Sequence, residues 1–314
     1  MKRNIAVTGG AGFIGSNLVD KLLSEGNKVT VIDNLSSGKL EFLNAHTSNG
    51  NFSFIKADLT EPEKLRKAID GADMIFHLAA NPDVRLGAEN TRVHLEQNII
   101  ATYNVLESMR MNGQKNIAFT STSTVYGEAG IIPTPESYGP LIPISLYGAS
   151  KLACEALVTS FCGTFGLRAW IFRFANIVGP RGTHGIIVDF IKKLRDDPHN
   201  LEILGDGQQR KSYLHVSDCV DAMLFAVKES HDMVNIFNVG SADAINATGI
   251  GEIIVEEMGL KNVKFHYTGG KRGWKGDVPS MVLSIDKIQE LGWEPVHNSR
   301  NSIVEAVRSS LKDE

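Results

Sequence analysis

The sequence predicts a doubly wound α/β fold, in which helices cover both faces of a parallel sheet, together with a smaller, partly interleaved C-terminal domain. Strand-like and helix-like segments alternate through the first half of the chain, and glycines recur at three-residue spacing where the first strand ends. After Gly179-Pro180 the alternation gives way to less regular segments. Strands separated by helices need crossover connections, and such connections place helices on both faces of a parallel sheet.

The predicted elements follow in chain order. In the first half we predict strands at Asn4–Thr8, 28–32, 53–56, Met74–His77, 116–121 and 168–172, and helices at Phe13–Ser24, Pro62–Ile69, 91–111 and Leu146–Phe165. Later segments predict helices at 185–195, at 217–228 and around Ala247 and Ser302, and the apolar run Val234–Val239 predicts a strand that returns to the first sheet. The 314 residues suit two domains, which we place at 1–178 and 179–314.

Composition and charge exclude several classes of function. Hydrophobic residues make up 42% of the chain and charged residues 22%, as in ordinary globular proteins. The formal net charge of -4 gives no electrostatic case for a nucleic acid or an anionic membrane as partner. The three cysteines, Cys154, Cys162 and Cys219, lack the spacing of a disulfide framework or a structural zinc site. We therefore expect no metal. Because no stretch resembles a leader or a membrane-spanning segment, we expect a soluble cytoplasmic protein.

Gly9, Gly12 and Gly15 form a GxxGxxG motif at the junction of the first strand and the first helix. Such a motif, typical of Rossmann-type domains, allows a tight turn, close approach of a pyrophosphate and close packing of helix on strand. Asp33 ends the second strand, at the spacing expected for an acid that binds both ribose hydroxyls. A carboxylate repels a 2′-phosphate, so the motif predicts NAD in preference to NADP. A solvated turn residue is the alternative interpretation of Asp33.

Two further segments extend the predicted dinucleotide site. Asp58-Leu59 follows the third strand and could flank the adenine, although an aspartate at the head of a loop also serves as a helix cap. Leu78, Ala79 and Ala80 close the fourth strand with small side chains. These residues either leave room for a cofactor or simply pack closely, and the sequence favours neither interpretation.

Tyr147 and Lys151 stand four residues apart at the start of a predicted helix, where they share one face. A phenol that acts as a base at neutral pH needs its pKa lowered by about 3 units, or ~4 kcal/mol. One cation ~4 Å away supplies about that much at an effective dielectric constant of 20. Hydroxyl side chains at 120–124 end the preceding strand, where they can hold a substrate oxygen. The alternative is a surface pair in which the tyrosine packs and the lysine extends into solvent.

Four segments together resemble the extended short-chain dehydrogenase/reductase family, and most closely its UDP-glucose 4-epimerase group. They are the glycine motif at 8–15, the hydroxyl cluster before Val125-Tyr126-Gly127, the Tyr147-x-x-x-Lys151 pair and the segment 173–180, which reads RFANIVGP. The resemblance covers nearly the whole chain. It implies catalytic roles for Tyr147, Lys151 and Thr122, with Ser121 and Ser123 as competitors of Thr122.

The resemblance also separates the possible reactions. Ser123-Thr124 stands where dehydratases of the family carry an Asp-Glu pair, and the glutamate of UDP-glucuronate decarboxylases is missing from the same stretch. It therefore implies NAD-dependent 4-epimerisation of a UDP-hexose through a transient 4-keto sugar. Alternatives are an epimerase or reductase of another nucleotide sugar, such as UDP-N-acetylglucosamine, and a non-catalytic NAD-binding sensor.

The remaining site residues are implied by the same resemblance. The residues expected at the NAD are Gly9, Gly12, Phe13, Ile14, Gly15, Asp33, Asn34, Ser36, Ser37, Gly38, Asp58, Leu59, Leu78, Ala79, Ala80, Asn98, Tyr147 and Lys151. Those expected at the UDP-sugar are Thr122, Tyr147, Asn176, Arg210, Lys211, Arg272, Asp277 and Met281. The chain departs from the family at Lys211 and Trp274, which occupy positions where arginine is usual. The resemblance further implies a homodimer that pairs the helices at 91–111 and Leu146–Phe165.

Overall fold

The computed structural model describes residues 2–274 and 276–312, which form two compact units. The first unit contains the chain through Val125, Ile142–Arg173 and Met223–Phe237. The second contains Tyr126–Leu141, Phe174–Ala222 and the chain from Asn238 onward. The chain therefore crosses between the units several times, and 126–141, which the sequence analysis placed in the first domain, groups with the second unit.

A parallel sheet forms the centre of the first unit. Its strands are β1 (Asn4–Thr8), β2 (Lys28–Asp33), β3 (Phe52–Lys56), β4 (Met74–His77), β5 (Asn116–Thr122), β6 (Arg168–Phe174) and, later in the chain, β11 (Val234–Val239). In the described part of the chain this sheet has seven strands in the order β11-β6-β5-β4-β1-β2-β3. The pairings of β3 with β2, β2 with β1, β1 with β4 and β4 with β5 are parallel. The predicted doubly wound order, which reverses at β1, is thereby confirmed.

The connections of the first unit are helical. They include α1 (Phe13–Ser24), a 3-10 helix (Leu40–His46), α2 (Pro62–Ile69), α3 (Leu86–Glu89), α4 (Arg92–His94), a π-helix (Leu95–Ile100), α5 (Ala101–Asn112), a 3-10 turn (Ser123–Tyr126) and α6 (Leu146–Phe165). The predicted helix at 91–111 is thus three pieces, with a π-helical segment between α4 and α5. Apolar side chains of the central strands, α5 and α6 form one buried core around Ile75, Val105, Phe119 and Cys154.

The second unit has smaller sheets and its own core. Its strands are β7 (Asn176–Val178), β8 (Asn200–Ile203), β9 (Arg210–Lys211), β10 (Tyr213–His215), β12 (Ile245–Asn246), β13 (Lys264–Tyr267) and β14 (Ser280–Met281). Its helices are α7 (Ile186–Asp196), the start of α8 (Val216–Glu229), α9 (Ala247–Glu257), α10 (Asp286–Glu290) and α11 (Ser299–Lys312). A core around Phe190, Leu201, Ile250 and Ile303 joins α7, β8, α9 and α11.

No helix in the described part of the chain combines the length and the apolar character needed to cross a membrane.

Candidate active site

The glycine motif forms a tight loop between β1 and α1. Gly9 has a positive φ of 71°, and a Cβ atom there would stand 2.6 Å from the backbone nitrogen of Ala79. A Cβ atom on Gly15 would overlap the carbonyl oxygen of Gly9. Both positions therefore require glycine, because the loop packs directly on backbone.

The N-terminus of α1 is left open by the same motif. Gly12 is the N-cap residue, Phe13 and Ile14 begin the helix, and among the described residues no side chain caps it and no acidic residue stands in its first turn. A Cβ atom on Gly12 would meet only the carbonyl oxygen of Gly9. The first N–H groups of α1 are therefore available to an anion.

Asp33 is buried and holds two loops together. Its Oδ2 accepts a hydrogen bond from the Ala11 N–H at 3.0 Å, and its Oδ1 accepts one from the Leu35 N–H at 2.8 Å. Burial raises the pKa of the carboxyl, and the two N–H donors offset only part of this effect. The interpretation of Asp33 as a solvated turn residue is therefore wrong, because only 8% of the residue is exposed.

A shallow depression lies beside the ends of β2 and β3. Asn34 and Asp58 line it together, and Asn34 Nδ2 donates to Asp58 Oδ2 at 2.8 Å. The other oxygen of Asp58 accepts hydrogen bonds from the N–H and hydroxyl of Thr60. Burial raises the pKa of Asp58, but these hydrogen bonds outweigh burial and leave the pKa below its usual value. Asp58 does not cap α2, whose N-cap is Glu61, and Leu59 is buried.

Two short segments border the glycine loop. Ser36 and Ser37 are exposed in the turn after β2, and a Cβ atom on Gly38 would stand 3.0 Å from Ala11. Leu78, Ala79 and Ala80 follow β4 and are each partly exposed, so they are not simply core residues. The structure thus places predicted dinucleotide residues from the ends of the first four strands near one loop. They are Gly9, Gly12, Gly15, Asp33, Asn34, Gly38, Asp58 and Ala79.

Asn98 lies in the π-helical segment and is committed to contacts within the protein. Its Oδ1 accepts from the Asn81 N–H at 2.8 Å, and its Nδ2 donates to Ser150 Oγ at 2.9 Å. The neighbouring His94 packs edge-on against Tyr147, with ring centroids 5.6 Å apart. Asn98 was expected to contact NAD, whereas its side chain here connects the π-helix to α6. π-Helical segments often mark functional sites.

The start of α6 brings Tyr147 and Lys151 to the end of β5. Ser145 caps the helix, because its Oγ accepts from the Gly148 N–H at 3.0 Å. The Thr122 side chain lies close enough to the Tyr147 phenol to lower its pKa, although burial outweighs this effect. Lys151 is 3% exposed, and its ammonium donates to the Thr120 carbonyl oxygen at 2.8 Å. The surface-pair alternative is therefore wrong, since the lysine does not extend into solvent.

Thr122 and Ser121 have different partners. Thr122 Oγ1 accepts from the N–H and the hydroxyl of Thr124, both at 3.2 Å, and lies close enough to the Tyr147 phenol to affect its pKa. Ser121 Oγ instead donates to Glu155 Oε1 at 2.5 Å, away from the phenol. Alternating residues of a strand point to opposite faces, which is why the two neighbours differ.

The pKa values of the pair do not follow the sequence-based expectation. Burial raises the pKa of Tyr147 to about 12, and the Thr122 hydrogen bond offsets only part of this effect. Burial lowers the pKa of Lys151 to about 8. The sequence analysis expected Lys151, helped by an oxidised nicotinamide ring, to lower the phenol pKa. In the protein alone the pKa is raised, because burial penalises the phenolate, while the Lys151 ammonium donates to the Thr120 carbonyl.

A buried ion pair supports α6 and was missed by the sequence analysis. Glu155 accepts from Arg173 Nε at 3.0 Å and from Arg173 Nη2 at 2.7 Å, with both side chains about 5% exposed. Glu155 is four residues beyond Lys151 and therefore on the same helix face. That spacing was a usable signal, but the sequence does not identify Arg173 as the partner.

In the second unit, three of the residues expected at the UDP-sugar, Lys211, Arg272 and Asp277, contact one another. Lys211 Nζ donates to Asp277 Oδ1 at 2.6 Å and lies 5.0 Å from the centroid of the Trp274 ring. The other Asp277 oxygen accepts from the Gly273 N–H at 3.0 Å. Arg272 donates to the Asp277 carbonyl oxygen at 2.9 Å and to a Glu128 carboxylate oxygen. These contacts connect Asp277 to Lys211, Arg272 and Gly273.

The other predicted substrate residues lie on neighbouring short strands. Asn176 begins β7, and its Nδ2 donates to the Ser212 carbonyl oxygen at 3.1 Å. Arg210 is exposed on β9, and Met281 on β14 is 4% exposed and paired with Lys211 in parallel register. Asn176, Arg210, Lys211, Arg272, Asp277 and Met281 therefore all belong to the second unit, whereas Thr122 and Tyr147 belong to the first.

Comparison with known proteins decides the family. Residues 5–240 match the family model described as the NAD dependent epimerase/dehydratase family. The chain belongs to this family. A crystal structure of a UDP-galactose 4-epimerase is similar, with 42% identity, a TM-score of 0.89 and coverage of 99% of both chains.

Other members of the family with different substrates are also similar. The structure of a UDP-N-acetylglucosamine 4-epimerase from Methanobrevibacter ruminantium M1 is 31% identical, with a TM-score of 0.89 and full coverage of both chains. A UDP-N-acetyl-alpha-D-glucosaminuronate decarboxylase from Bacillus cytotoxicus is 35% identical, over 93% of this chain and 92% of that protein. The comparisons therefore establish an NAD-dependent nucleotide-sugar enzyme family and leave its reaction to be argued.

The residues present fit the dinucleotide of the family. Gly12 leaves an uncapped, unobstructed helix N-terminus that suits a diphosphate, and the carboxylate of Asp33 accepts a hydrogen bond from Ala11 in the same loop. The depression lined by Asn34 and Asp58 is suited to the adenosine end. NAD would be held by these residues of the first unit.

Proposed function

We propose that this family member catalyses the 4-epimerisation of a UDP-hexose, interconverting UDP-glucose and UDP-galactose through a transient 4-keto sugar. The observation that carries the proposal is the placement of the Tyr147 phenol beside the Thr122 side chain, one helical turn from the buried Lys151. The likeness to a UDP-galactose 4-epimerase supports the same reaction. A non-catalytic sensor would have no use for these three side chains together.

The chain's own residues would move the proton. Tyr147 takes the proton of the sugar 4-hydroxyl and returns it, while Thr122 holds the same oxygen by a hydrogen bond. Lys151 keeps a positive charge beside the phenol below pH 8, which favours the phenolate that forms during transfer. When bound, NAD supplies reversible oxidation at a carbinol carbon and a second positive charge. Because the phenol has a raised pKa in the protein alone, we expect proton transfer to depend on the bound dinucleotide.

The proposed binding roles divide between the units. The first unit, which contains most of the predicted domain at 1–178, would hold NAD. The second unit would hold the nucleotide-sugar through Asn176, Arg210, Lys211, Arg272 and Asp277. Lys211 and Arg272 are already paired with carboxylates, so a diphosphate would have to share or replace those partners. We infer that Arg210, which is exposed and whose modest contact is a 3.4 Å bond to the Ala244 carbonyl, is the more available cation.

A second substrate class, UDP-N-acetylhexosamines, has support of its own. The Methanobrevibacter ruminantium enzyme acts on UDP-N-acetylglucosamine and is similar over the whole chain. Met281 is the residue expected to influence whether an N-acetyl group fits, and a buried methionine adapts its shape easily. Dehydration and decarboxylation are not favoured, because Ser123 and Thr124 cannot provide the acid and base that those reactions require.

Two further proposals concern the molecule in the cell. We infer a homodimer formed through the helical face of α5 and α6 in the first unit. We also infer a reducing, cytoplasmic location, since Cys154, Cys162 and Cys219 are all free thiols in buried positions.

The proposed reaction is tested with Tyr147→Phe, which removes the phenol oxygen and little else. We expect wild-type protein with NAD to convert UDP-galactose to UDP-glucose, and the variant to lose on the order of 10²- to 10⁴-fold in kcat, the usual contribution of a positioned acid or base. Chromatography of the nucleotide sugars measures both rates. Tyr103→Phe is the matched control, because Tyr103 is an exposed residue of α5 and should retain full activity.

The outcomes distinguish the candidates. Conversion of UDP-N-acetylglucosamine but not of UDP-galactose would contradict the proposed substrate and support 4-epimerisation. Release of CO2 from a UDP-glucuronate would contradict epimerisation. Absence of turnover with every UDP-sugar, together with NAD binding that Tyr147→Phe does not alter, would favour the sensor.

A further inference from the structure

Two histidines and a glutamate converge in the second unit, and none of them was assigned a role above. His215 ends β10, His297 precedes α11, and Glu305 lies on the second turn of α11. One potential ligand atom from each lies within 4.8 Å of the other two. The rings of His215 and His297 are 5.0 Å apart between centroids. Sequence analysis expected no metal, because ligands so distant along the chain leave no spacing motif.

A buried carboxylate orients the His297 ring. Asp218, which is 5% exposed, accepts hydrogen bonds from both the N–H and the Nδ1–H of His297 through one oxygen, at 2.9 and 3.0 Å. With its proton on Nδ1, the neutral ring presents the lone pair of Nε2. A carboxylate that orients a histidine in this way is the usual outer partner of a metal-bound imidazole.

The Nε2 lone pair faces a second acceptor. Glu305 Oε1 lies 3.5 Å from His297 Nε2, and a carboxylate and a neutral imidazole nitrogen need a proton or a cation between them. Ligands about 2.1 Å from a tetrahedral zinc ion are themselves about 3.4 Å apart, so this pair already has the required separation. A ring nitrogen of His215 lies within 4.8 Å of both groups and would be the third ligand once the exposed Glu305 side chain adjusts, while His215 Nδ1 is also 2.7 Å from the Ser217 hydroxyl.

We propose that His215, His297 and Glu305 bind one divalent transition-metal ion, Zn²⁺ by the chemistry of its ligands. Two imidazoles and one carboxylate suit zinc better than magnesium or calcium, and they leave a fourth position for water. The ion would connect α11 to the end of β10, whose neighbour β7 carries Asn176. Bound zinc therefore stabilises the second unit around β7, the strand that begins at Asn176.

The test is zinc binding by untagged full-length protein, measured by competition with a chromophoric chelator. We expect one Zn²⁺ per chain in the wild type, and at least roughly tenfold weaker binding in Glu305→Gln and in His297→Gln. His266→Gln is the matched control, because His266 is an exposed histidine outside the cluster whose Nε2 contacts Asn200. It should bind zinc as the wild type does.

Two further measurements keep the proposal falsifiable if a variant is damaged. Saturating zinc should raise the Tm of the wild type and of His266→Gln but not of Glu305→Gln, whose exposed side chain can be replaced without disturbing the core. The Co²⁺ form should show nitrogen and oxygen ligation. A thiolate-to-cobalt absorption band, zinc binding below one equivalent, or equal affinity in Glu305→Gln and wild type would each overturn the site.

Discussion

Lys151 is buried and Tyr147 is partly buried at the start of α6, and loss of contact with water moves their pKa values in opposite directions. The phenol pKa rises to about 12 and the ammonium pKa falls to about 8. Low-polarity surroundings penalise whichever form is charged, so the tyrosine is held neutral while the lysine carries its charge at a cost in stability. That cost gives a measurable signature of the proposed catalytic pair.

Replacing Lys151 by methionine should change how stability depends on pH. The lysine titrates near 10.5 in the unfolded chain and near 8 in the folded protein, so the unfolded state binds more protons between these values. The free energy of unfolding of the wild type should therefore rise with pH relative to that of Lys151→Met, by about 2 kcal/mol between pH 8 and pH 10. Urea denaturation at each pH, with equal dinucleotide content in both proteins, measures the difference.

The control for this titration is Lys264→Met, because Lys264 is exposed on β13. Its stability should run parallel to that of the wild type over the same pH range. A constant difference between wild type and Lys151→Met from pH 8 to pH 10 would contradict a desolvated ammonium at this position.

Residue patterns predicted the neighbours of this site better than its energies. The four-residue spacing of Tyr147 and Lys151, and the position of Thr122 at the end of β5, were sufficient to bring the three side chains together. The direction of the phenol pKa was not predictable, because it depends on how much surrounding protein excludes water. The pairing of Lys211 with Asp277 was also not predictable, because Lys211 lies on β9 and Asp277 lies in a loop far away in the sequence.

At the scale of elements, α6 is held in place by two contacts that the local sequence pattern does not predict. Asn98 donates to Ser150 from the π-helical segment, and Glu155 pairs with Arg173 at the end of β6. The bounds of α6 itself were predicted, because the serine N-cap and the apolar periodicity are local signals. The break in the helix at 91–111 was not, since a π-helical turn has no distinct sequence signature.

Glu155→Gln should destabilise the first unit strongly. Removing one charge from a buried pair typically costs about 3–5 kcal/mol, because the Arg173 guanidinium loses the negative charge that it contacts. The double variant Glu155→Leu with Arg173→Met removes both charges and should be more stable than the single variant. Urea denaturation monitored by circular dichroism compares them.

Glu107→Gln provides the exposed counterpart, because the Glu107–Arg110 pair lies on the outer surface of α5. It should leave the unfolding midpoint unchanged. If the double variant proved no more stable than Glu155→Gln, the loss would have to be assigned to packing and to the Ser121 hydrogen bond, and not to an unpaired charge.

At the scale of the whole molecule, the first unit leaves an apolar helical face without a partner in the described chain. Ile100, Tyr103 and Met111 are 42%, 44% and 54% exposed, and Tyr103 contacts Phe161 of α6. The outward positions of α6 include Ala149 and the partly exposed Ala153, along with Ala156, Ser160 and Gly163. Small side chains on one helix beside large apolar ones on the next allow two such faces to pack closely.

The homodimer proposal predicts that a charge on this face separates the subunits. Wild-type protein at about 10 μM should scatter light with twice the mass of one chain, because a stable interface buries roughly 800 Å² on each partner. Tyr103→Glu combined with Ile100→Glu places a charge at the centre of that area in both subunits and should yield monomers that keep their circular dichroism spectrum. Ile131→Glu alters an equally exposed apolar residue of the second unit and should remain dimeric. A monomeric wild type, or a dimer that survives both glutamates, would remove α5 and α6 from consideration as the interface.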